Sequence, residues 1–197
     1  MHSHLRTGRS IRVVLALALC VVLGAASTSQ AAWVVYNVTL NGANESPPNA
    51  SLGTGTATVG VNASTHQLYI HLDFQGLSGT TTQCHIHAAT AVAGTGTAGV
   101  ATTTPYFAGF PIGVTSGTYD ITLDETLASS WNPSYVSAHG GTTAQAEADF
   151  DAAVAAGKAY LNVHSTVVPG GEIRGFLLPA PVPTQPSTWG SIKALYR

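Results

Sequence analysis

Apolar and polar residues alternate along much of this chain, and the alternation predicts β-strands. The clearest run extends from His66 to Phe74, where four large apolar side chains alternate with polar ones. Side chains two residues apart lie on one face of a strand, so this run fits a strand with one buried face. Many short strands at close spacing are typical of all-β proteins, and we predict an antiparallel Greek-key or immunoglobulin-like β-sandwich of seven or eight strands. Six further segments have a similar pattern: Trp33 to Leu40, Thr54 to Val61, Thr82 to Ala88, Gly117 to Leu123, Lys158 to Ser165 and Glu172 to Leu178.

Two segments depart from this pattern. Residues Thr142 to Ala156 are rich in alanine, and Thr142 and Gln145 have the spacing of a capping box, so we predict one helix there. Residues Ala89 to Gly113 are rich in glycine, threonine and alanine and contain few large apolar residues. This composition predicts a long loop, with one weak strand near Gly99 to Thr103.

Both ends of the chain differ from the domain between them. Residues 1 to 31 combine three arginines, an apolar run from Val13 to Ala26 and small residues near Ala31, which is the pattern of a secretory signal peptide. The apolar run is shorter than the roughly 20 residues that a membrane-spanning helix needs. The expected location is secreted, periplasmic or in the cell envelope, without a stable membrane span after cleavage. The remaining predicted parts are a domain over 32 to 178, a proline-rich linker over 179 to 187 and a short tail over 188 to 197.

Charged residues are scarce, and their scarcity excludes one class of function. Lysine, arginine, aspartate and glutamate make up 8% of the sequence, against about 25% in an average soluble domain. Seven basic residues, three of them in the predicted leader, cannot form a patch that neutralises several phosphates, so we exclude a nucleic-acid partner. Removal of the leader leaves Cys84 as the only cysteine, so no intrachain disulfide can form. The acidic groups are predicted to be solvated faces: Asp124-Glu125, and Glu147, Asp149 and Asp151 on the helix.

Three histidines are the main candidates for chemistry. His85 and His87 are two residues apart on a predicted strand and share its polar face, while Cys84 points inward and is an unlikely ligand. On a later strand, His164 lies on the polar face together with Tyr160 and Asn162. Three neutral imidazoles with an open coordination position suit copper or zinc. The alternative is a polar outer face whose rings are hydrogen-bonded to loop carbonyls.

A fourth histidine and an ion pair complete the candidate residues. His139, in a glycine-rich loop, is a candidate additional ligand, with simple exposure to solvent as the alternative. Arg174 is one of the few basic residues outside the leader, and we predict a structural ion pair that joins it to Glu172 or Glu45. The alternative is that Arg174 orients an anion near a metal ion.

Three segments of this chain resemble the CHRD domain, the repeat named from chordin. They are Leu40 to Pro48, His85-Ile86-His87, and the segment from Tyr160 to Gly175, in the same order as in the family. The similarity extends over about Val38 to Leu178, although Ala88-Ala89-Thr90 replaces the glycine that the family usually has near this point. The resemblance implies a secreted, β-rich module without an established activity. The growth-factor binding of chordin belongs to a larger protein and is not transferred to this single module.

A weaker similarity connects the chain to copper/zinc superoxide dismutase, which is also a sandwich with a His-X-His strand and a later copper-binding histidine. Two features depart from that enzyme. The loop from Ala89 to Gly113 contains no histidine, aspartate or glutamate for a zinc subsite, and the enzyme's intramolecular disulfide cannot form here. Dismutase activity is therefore not the preferred interpretation.

The preferred function is a secreted, non-enzymatic CHRD module that holds one copper or zinc ion through His85, His87 and His164. Its partner would be an unidentified extracellular or envelope component. The first alternative is a structural or adhesive module of the envelope or matrix in which the histidines are incidental. The second is a copper-dependent redox enzyme of the superoxide dismutase type.

Overall fold

Seven β-strands make up most of the structure, a computed structural model that describes residues 32–180. Each lies within two residues of a segment predicted from the alternating pattern, because a strand with one face in the core requires that alternation. The strands are β1 (Val34–Asn41), β2 (Thr54–Asn62), β3 (Gln67–Gln75), β4 (Thr81–His87), β5 (Gly117–Asp124), β6 (Tyr160–Ser165) and β7 (Ile173–Phe176).

The described strands form one hydrogen-bonded sheet in the order β4-β6-β7-β1-β2-β3-β5, and every neighbouring pair is antiparallel. The predicted all-β class is therefore confirmed. The contact between β1 and β7 is short and pairs Asn41 with Arg174. Gly175 permits the close approach there, because a Cβ atom at this position would collide with the Thr39 carbonyl and the Val38 side chain. The division of the strands into two facing sheets stays a prediction.

The core is built from the apolar face of each strand. On β3, Leu68, Ile70, Leu72 and Phe74 are all 3% exposed or less, as their alternation predicts. Full burial of a side chain of this size stabilises the fold by about 1.5–3 kcal/mol. The same core includes Cys84, which is a free and fully buried thiol.

Two α-helices lie between β5 and β6: α1 (Pro133–Ala138) and α2 (Thr143–Ala155). The prediction of α2 is confirmed, and the Thr142 hydroxyl caps it by accepting the backbone N–H of Gln145 at 3.2 Å. Phe150 on α2 is fully buried and contacts Trp131 edge to face at 5.4 Å between ring centroids. This contact fixes α2 against the core.

Two predictions about local structure were wrong. We predicted one helix, and α1 is a second, which has a recognisable start: Asn132 accepts the backbone N–H of Ser134, and Pro133 occupies the first turn. Residues 99 to 103 do not form a strand, because only isolated bridges join Val100 to His87 and Thr102 to Trp131. The long loop between β4 and β5 is present as predicted.

Several sequence predictions fall on the ends of the chain. The leader at 1 to 31, the tail at 188 to 197 and most of the linker at 179 to 187 lie outside the described residues. Within residues 32–180, no helix has the length and hydropathy needed to cross a membrane.

Candidate metal centre

His85, His87 and His164 come together on one face of the neighbouring strands β4 and β6. Each offers a ring nitrogen, and these three atoms all lie within 4.8 Å of one another. The register between β4 and β6 explains why the three rings are close. His164 lies opposite Gln83, and Asn162 lies opposite His85. His164 is therefore the diagonal neighbour of His85 on the same face. Cys84 and Ile86 are completely buried on the other face.

Backbone carbonyls from the surrounding loops orient all three rings. The Nδ1 atom of His85 lies 3.0 Å from the Pro105 carbonyl, and that of His87 lies 2.8 Å from the Ala98 carbonyl. The Nδ1 atom of His164 lies 2.8 Å from the Pro169 carbonyl. A carbonyl only accepts hydrogen bonds, so each neutral ring carries its proton on Nδ1 and a lone pair on Nε2. Metal-binding histidines are commonly held in this way by their second nitrogen.

The closest contact in the group joins two of these lone pairs. Nε2 of His164 and Nε2 of His85 are 3.1 Å apart. With both Nδ1 atoms donating to carbonyls, neither Nε2 has a proton to give to the other. Nitrogen ligands lie about 2.0–2.1 Å from zinc, so a single ion can contact two nitrogens at this separation. The arrangement therefore fits a shared cation between the rings.

Burial makes a metal ion a better candidate for that cation than a proton. Burial, followed by repulsion from His87, lowers the pKa of His85 to about 3. Burial is also the main cause that lowers the pKa of His87 to about 4, and it lowers the pKa of His164. At neutral pH the three rings are therefore uncharged and present lone pairs. His87 is the most exposed of the three.

A second layer of side chains supports the histidines. The His87 ring stacks on Tyr160 with 4.6 Å between centroids, and the Arg174 guanidinium lies 4.7 Å from the centre of the Tyr160 ring. Asn162 lies between His85 on β4 and Arg174 on β7 in the sheet register. The polar residues on this side of the sheet thus extend from the histidines through Asn162 on β6 to Arg174 on β7.

Arg174 is buried and pairs with Glu45. The Nε atom of Arg174 lies 3.8 Å from Oε2 of Glu45, and the guanidinium also donates to the backbone carbonyls of Asn44 and Gly96. Oε1 of Glu45 accepts the Asn162 amide at 2.8 Å. Burial raises the pKa of Glu45 to about 7, and the positive charge of Arg174 opposes that rise.

Glu172, the other acidic residue predicted to pair with Arg174, has different partners. Its Oε1 accepts the Ser51 hydroxyl at 2.6 Å and the backbone N–H of Ser78. Glu172 immediately precedes β7, and the loops that contain Ser51 and Ser78 contact its carboxylate there. Of the two acids proposed from the sequence, Glu45 is therefore the one that meets Arg174.

His139 does not join the three histidines. It lies at the end of α1, where its Nδ1 is 2.8 Å from the Tyr135 carbonyl and its ring stacks on Tyr135 at 3.9 Å. His139 is therefore outside the group of three, at the end of α1. Hydrogen bonds from the rings to loop carbonyls were the alternative expected from the sequence, and they are present. The sequence could not identify the carbonyls as those of Ala98, Pro105 and Pro169, because backbone groups carry no residue-specific signal.

Comparison with known families identifies the fold that carries this site. A family model for the CHRD domain matches residues 36–177, a span that includes the three histidines and their supporting residues. Searches among curated proteins and solved structures found no match. The matched span is most of the sequence and nearly all of the described part, so the chain belongs to the CHRD domain family.

Proposed function

We propose that this CHRD domain is a secreted binding module that holds one copper or zinc ion through His85, His87 and His164. The observation that supports this most strongly is the 3.1 Å contact between the Nε2 atoms of His85 and His164. Each of these rings has its Nδ1 proton committed to a backbone carbonyl. The Nε2 lone pairs of His85 and His164 therefore face each other. A metal ion bound between them would stabilise this arrangement.

The donor set selects the kind of ion. Imidazole nitrogens suit copper and zinc, and divalent copper binds such sites more tightly than zinc in the usual affinity order. Three protein ligands leave a coordination position for water or for another molecule. An ion held by histidines from β4 and β6 would also join the two strands and stabilise the folded state, since the three ligands come together only in that state.

The proposed location and partner rest on other features. The leader pattern at residues 1 to 31 supports export, and the expected partner is an extracellular or envelope component. Within residues 32–180 the lysines and arginines are Lys158 and Arg174, and Arg174 is buried. The described surface therefore has little positive charge with which to bind nucleic acid.

A metal titration tests the proposal. The purified, metal-free protein is titrated with Cu²⁺ and with Zn²⁺, and we expect saturation at one ion per chain, with tighter binding of Cu²⁺. Nitrogen hyperfine structure in the electron paramagnetic resonance spectrum should identify imidazole ligands. Failure to saturate with either ion would contradict the proposal and favour the structural or adhesive alternative. Assay of superoxide dismutation by the copper-loaded protein separates the redox alternative from simple binding.

Binding should depend only weakly on pH between 7.5 and 5. Protons compete with the metal for Nε2, and the pKa values of about 3 for His85 and about 4 for His87 place that competition below pH 5. We expect Cu²⁺ affinity to fall by less than about 30-fold over this range, most of it from His164. Affinity is measured at each pH against a chelator of known protonation. Two rings with ordinary pKa values would lose about 1000-fold, and a loss of that size would contradict the buried, neutral site.

A further inference from the structure

A second group of metal-ligating side chains lies away from the histidines, where β5 ends beside α2. Glu125 immediately follows β5, while Glu147 and Asp151 lie one turn apart on α2 and so share a face of that helix. One carboxylate oxygen from each lies within 4.8 Å of the others. The backbone N–H of Glu125 is held by the His66 carbonyl at 2.8 Å, which fixes its place beside the helix.

The prediction that these acids form solvated faces was wrong for Glu125 and Glu147, while Asp151 is partly buried. Glu125 is completely buried and Glu147 is 7% exposed. The reason is that the buried face of α2 includes Glu147 beside Ala146 and Phe150. Glu125 and Glu147 are therefore buried within the domain and do not face solvent.

The carboxylate of Glu125 has no hydrogen-bond partner in the described part of the chain. Both of its carboxylate oxygens are buried without a hydrogen bond among the described residues, and so is Oδ1 of Asp151. The hydroxyl of Tyr135, whose pKa is raised by burial and then by Asp149 and Asp151, is a further buried oxygen without a partner. Burial of a carboxylate without a compensating partner is strongly unfavourable. Native proteins pair such groups with a partner, keep them protonated or place a metal ion beside them.

Among the described residues, one basic side chain forms an ion-pair contact with these three acids. His66 reaches Glu147, with 2.8 Å between Nδ1 and Oε1. Within residues 32–180, the ion pairs of Glu125, Glu147 and Asp151 include no lysine or arginine. Burial, followed by repulsion from Asp151, Glu147 and Asp124, raises the pKa of Glu125 to about 8. At neutral pH the Glu125 carboxyl group therefore tends to hold a proton, and a cation must displace this proton in order to bind.

We propose that Glu125, Glu147 and Asp151 bind a hard divalent cation of the calcium class, at a site that shares no residue with the three histidines. Calcium prefers carboxylate oxygens at about 2.3–2.6 Å, and oxygens on opposite sides of one ion are then about 4.6–5.2 Å apart. Separations up to 4.8 Å therefore fit one ion. The bound cation joins the end of β5 to α2 and satisfies the unpaired oxygens of Glu125 and Asp151.

Terbium luminescence in the full protein tests this site. Tb³⁺ replaces Ca²⁺ at oxygen ligands, and the indole of Trp131 lies close enough to sensitise it, because its N–H donates to the Glu125 backbone carbonyl at 2.7 Å. We expect one Tb³⁺ per chain, displaced by Ca²⁺. The Glu125→Gln variant should bind more than about tenfold more weakly. The matched control is Asp149→Asn, which changes a carboxylate of the same helix outside the group and should bind normally.

Two further measurements test whether the cation stabilises the fold and whether this site is independent of the histidines. Ca²⁺ should raise the thermal unfolding midpoint of the wild-type protein, and Glu147→Gln should remove that shift if Glu125→Gln does not fold. Replacing His85 and His164 by alanine should leave Tb³⁺ binding unchanged, so failure of the copper site and failure of this site are distinguishable. Absence of a saturable Tb³⁺ signal, or an unchanged affinity in a folded Glu125→Gln variant, would overturn the proposal.

Discussion

Simultaneous replacement of His85 and His164 by alanine is expected to abolish stoichiometric Cu²⁺ binding. The two rings supply the Nε2 atoms that face each other at 3.1 Å, so the double variant removes both sides of the closest contact in the site. Loss of an outer residue that only orients a ligand costs about 10–100-fold in metal affinity, and loss of two direct ligands should exceed about 100-fold. Calorimetric titration of the metal-free variant measures this effect.

Matched histidine variants separate this result from a general effect of lost imidazoles. His71 lies on β3 between Asp73 and Asp120, outside the group of three, so His71→Ala should bind Cu²⁺ like the wild type. His139→Ala should also bind normally, because that ring caps α1. Unchanged stoichiometry and affinity in the double variant would show that the metal binds elsewhere.

Replacement of Arg174 by alanine is expected to be the most destabilising change of a charged residue in the described structure. Removing one partner of a buried ion pair typically costs about 3–5 kcal/mol, because it leaves the other charge unpaired. Arg174 is 4% exposed and Glu45 is 7% exposed. The variant also loses hydrogen bonds to the carbonyls of Asn44 and Gly96. Urea unfolding monitored by tryptophan fluorescence measures the free energy.

The pH dependence identifies Glu45 as the unpaired group. Its pKa in the folded protein is already raised to about 7, mainly by burial, and loss of the Arg174 charge removes an effect that lowers it. A carboxyl group whose pKa is higher in the folded state loses stability as pH rises through that value. The difference between Arg174→Ala and wild type should therefore be larger at pH 8 than at pH 6.

Two control variants complete the experiment. Lys158→Ala removes the lysine of residues 32–180, where Arg174 is the arginine, and should change stability by about 0.5 kcal/mol or less. Adding Glu45→Gln to Arg174→Ala should recover part of the loss, because the unpaired charge is then gone. A stability of Arg174→Ala equal to that of the wild type at pH 8 would show that the ion pair contributes nothing.

The histidine group and the acidic group differ in how much of each could be predicted from the sequence. His85 and His87 are two residues apart on one strand, so their common face follows from the period of the strand alone. His164 has the same phase on its own strand, but the diagonal contact with His85 required β4 and β6 to be neighbours in a particular register. The group of Glu125 with Glu147 and Asp151 had no such signal, because its members come from a strand end and a helix.

The sequence by itself determined the strands, helix α2, the inward side of Cys84 and the strand faces on which His85, His87 and His164 lie. These are local properties, set by side-chain alternation and capping within a few residues. Only the tertiary structure decided that Arg174 meets Glu45, that backbone carbonyls hold the Nδ1 atoms and that Glu125 is buried beside α2. Those outcomes depend on strand order, register and loop path, which arise from packing between segments far apart in the chain.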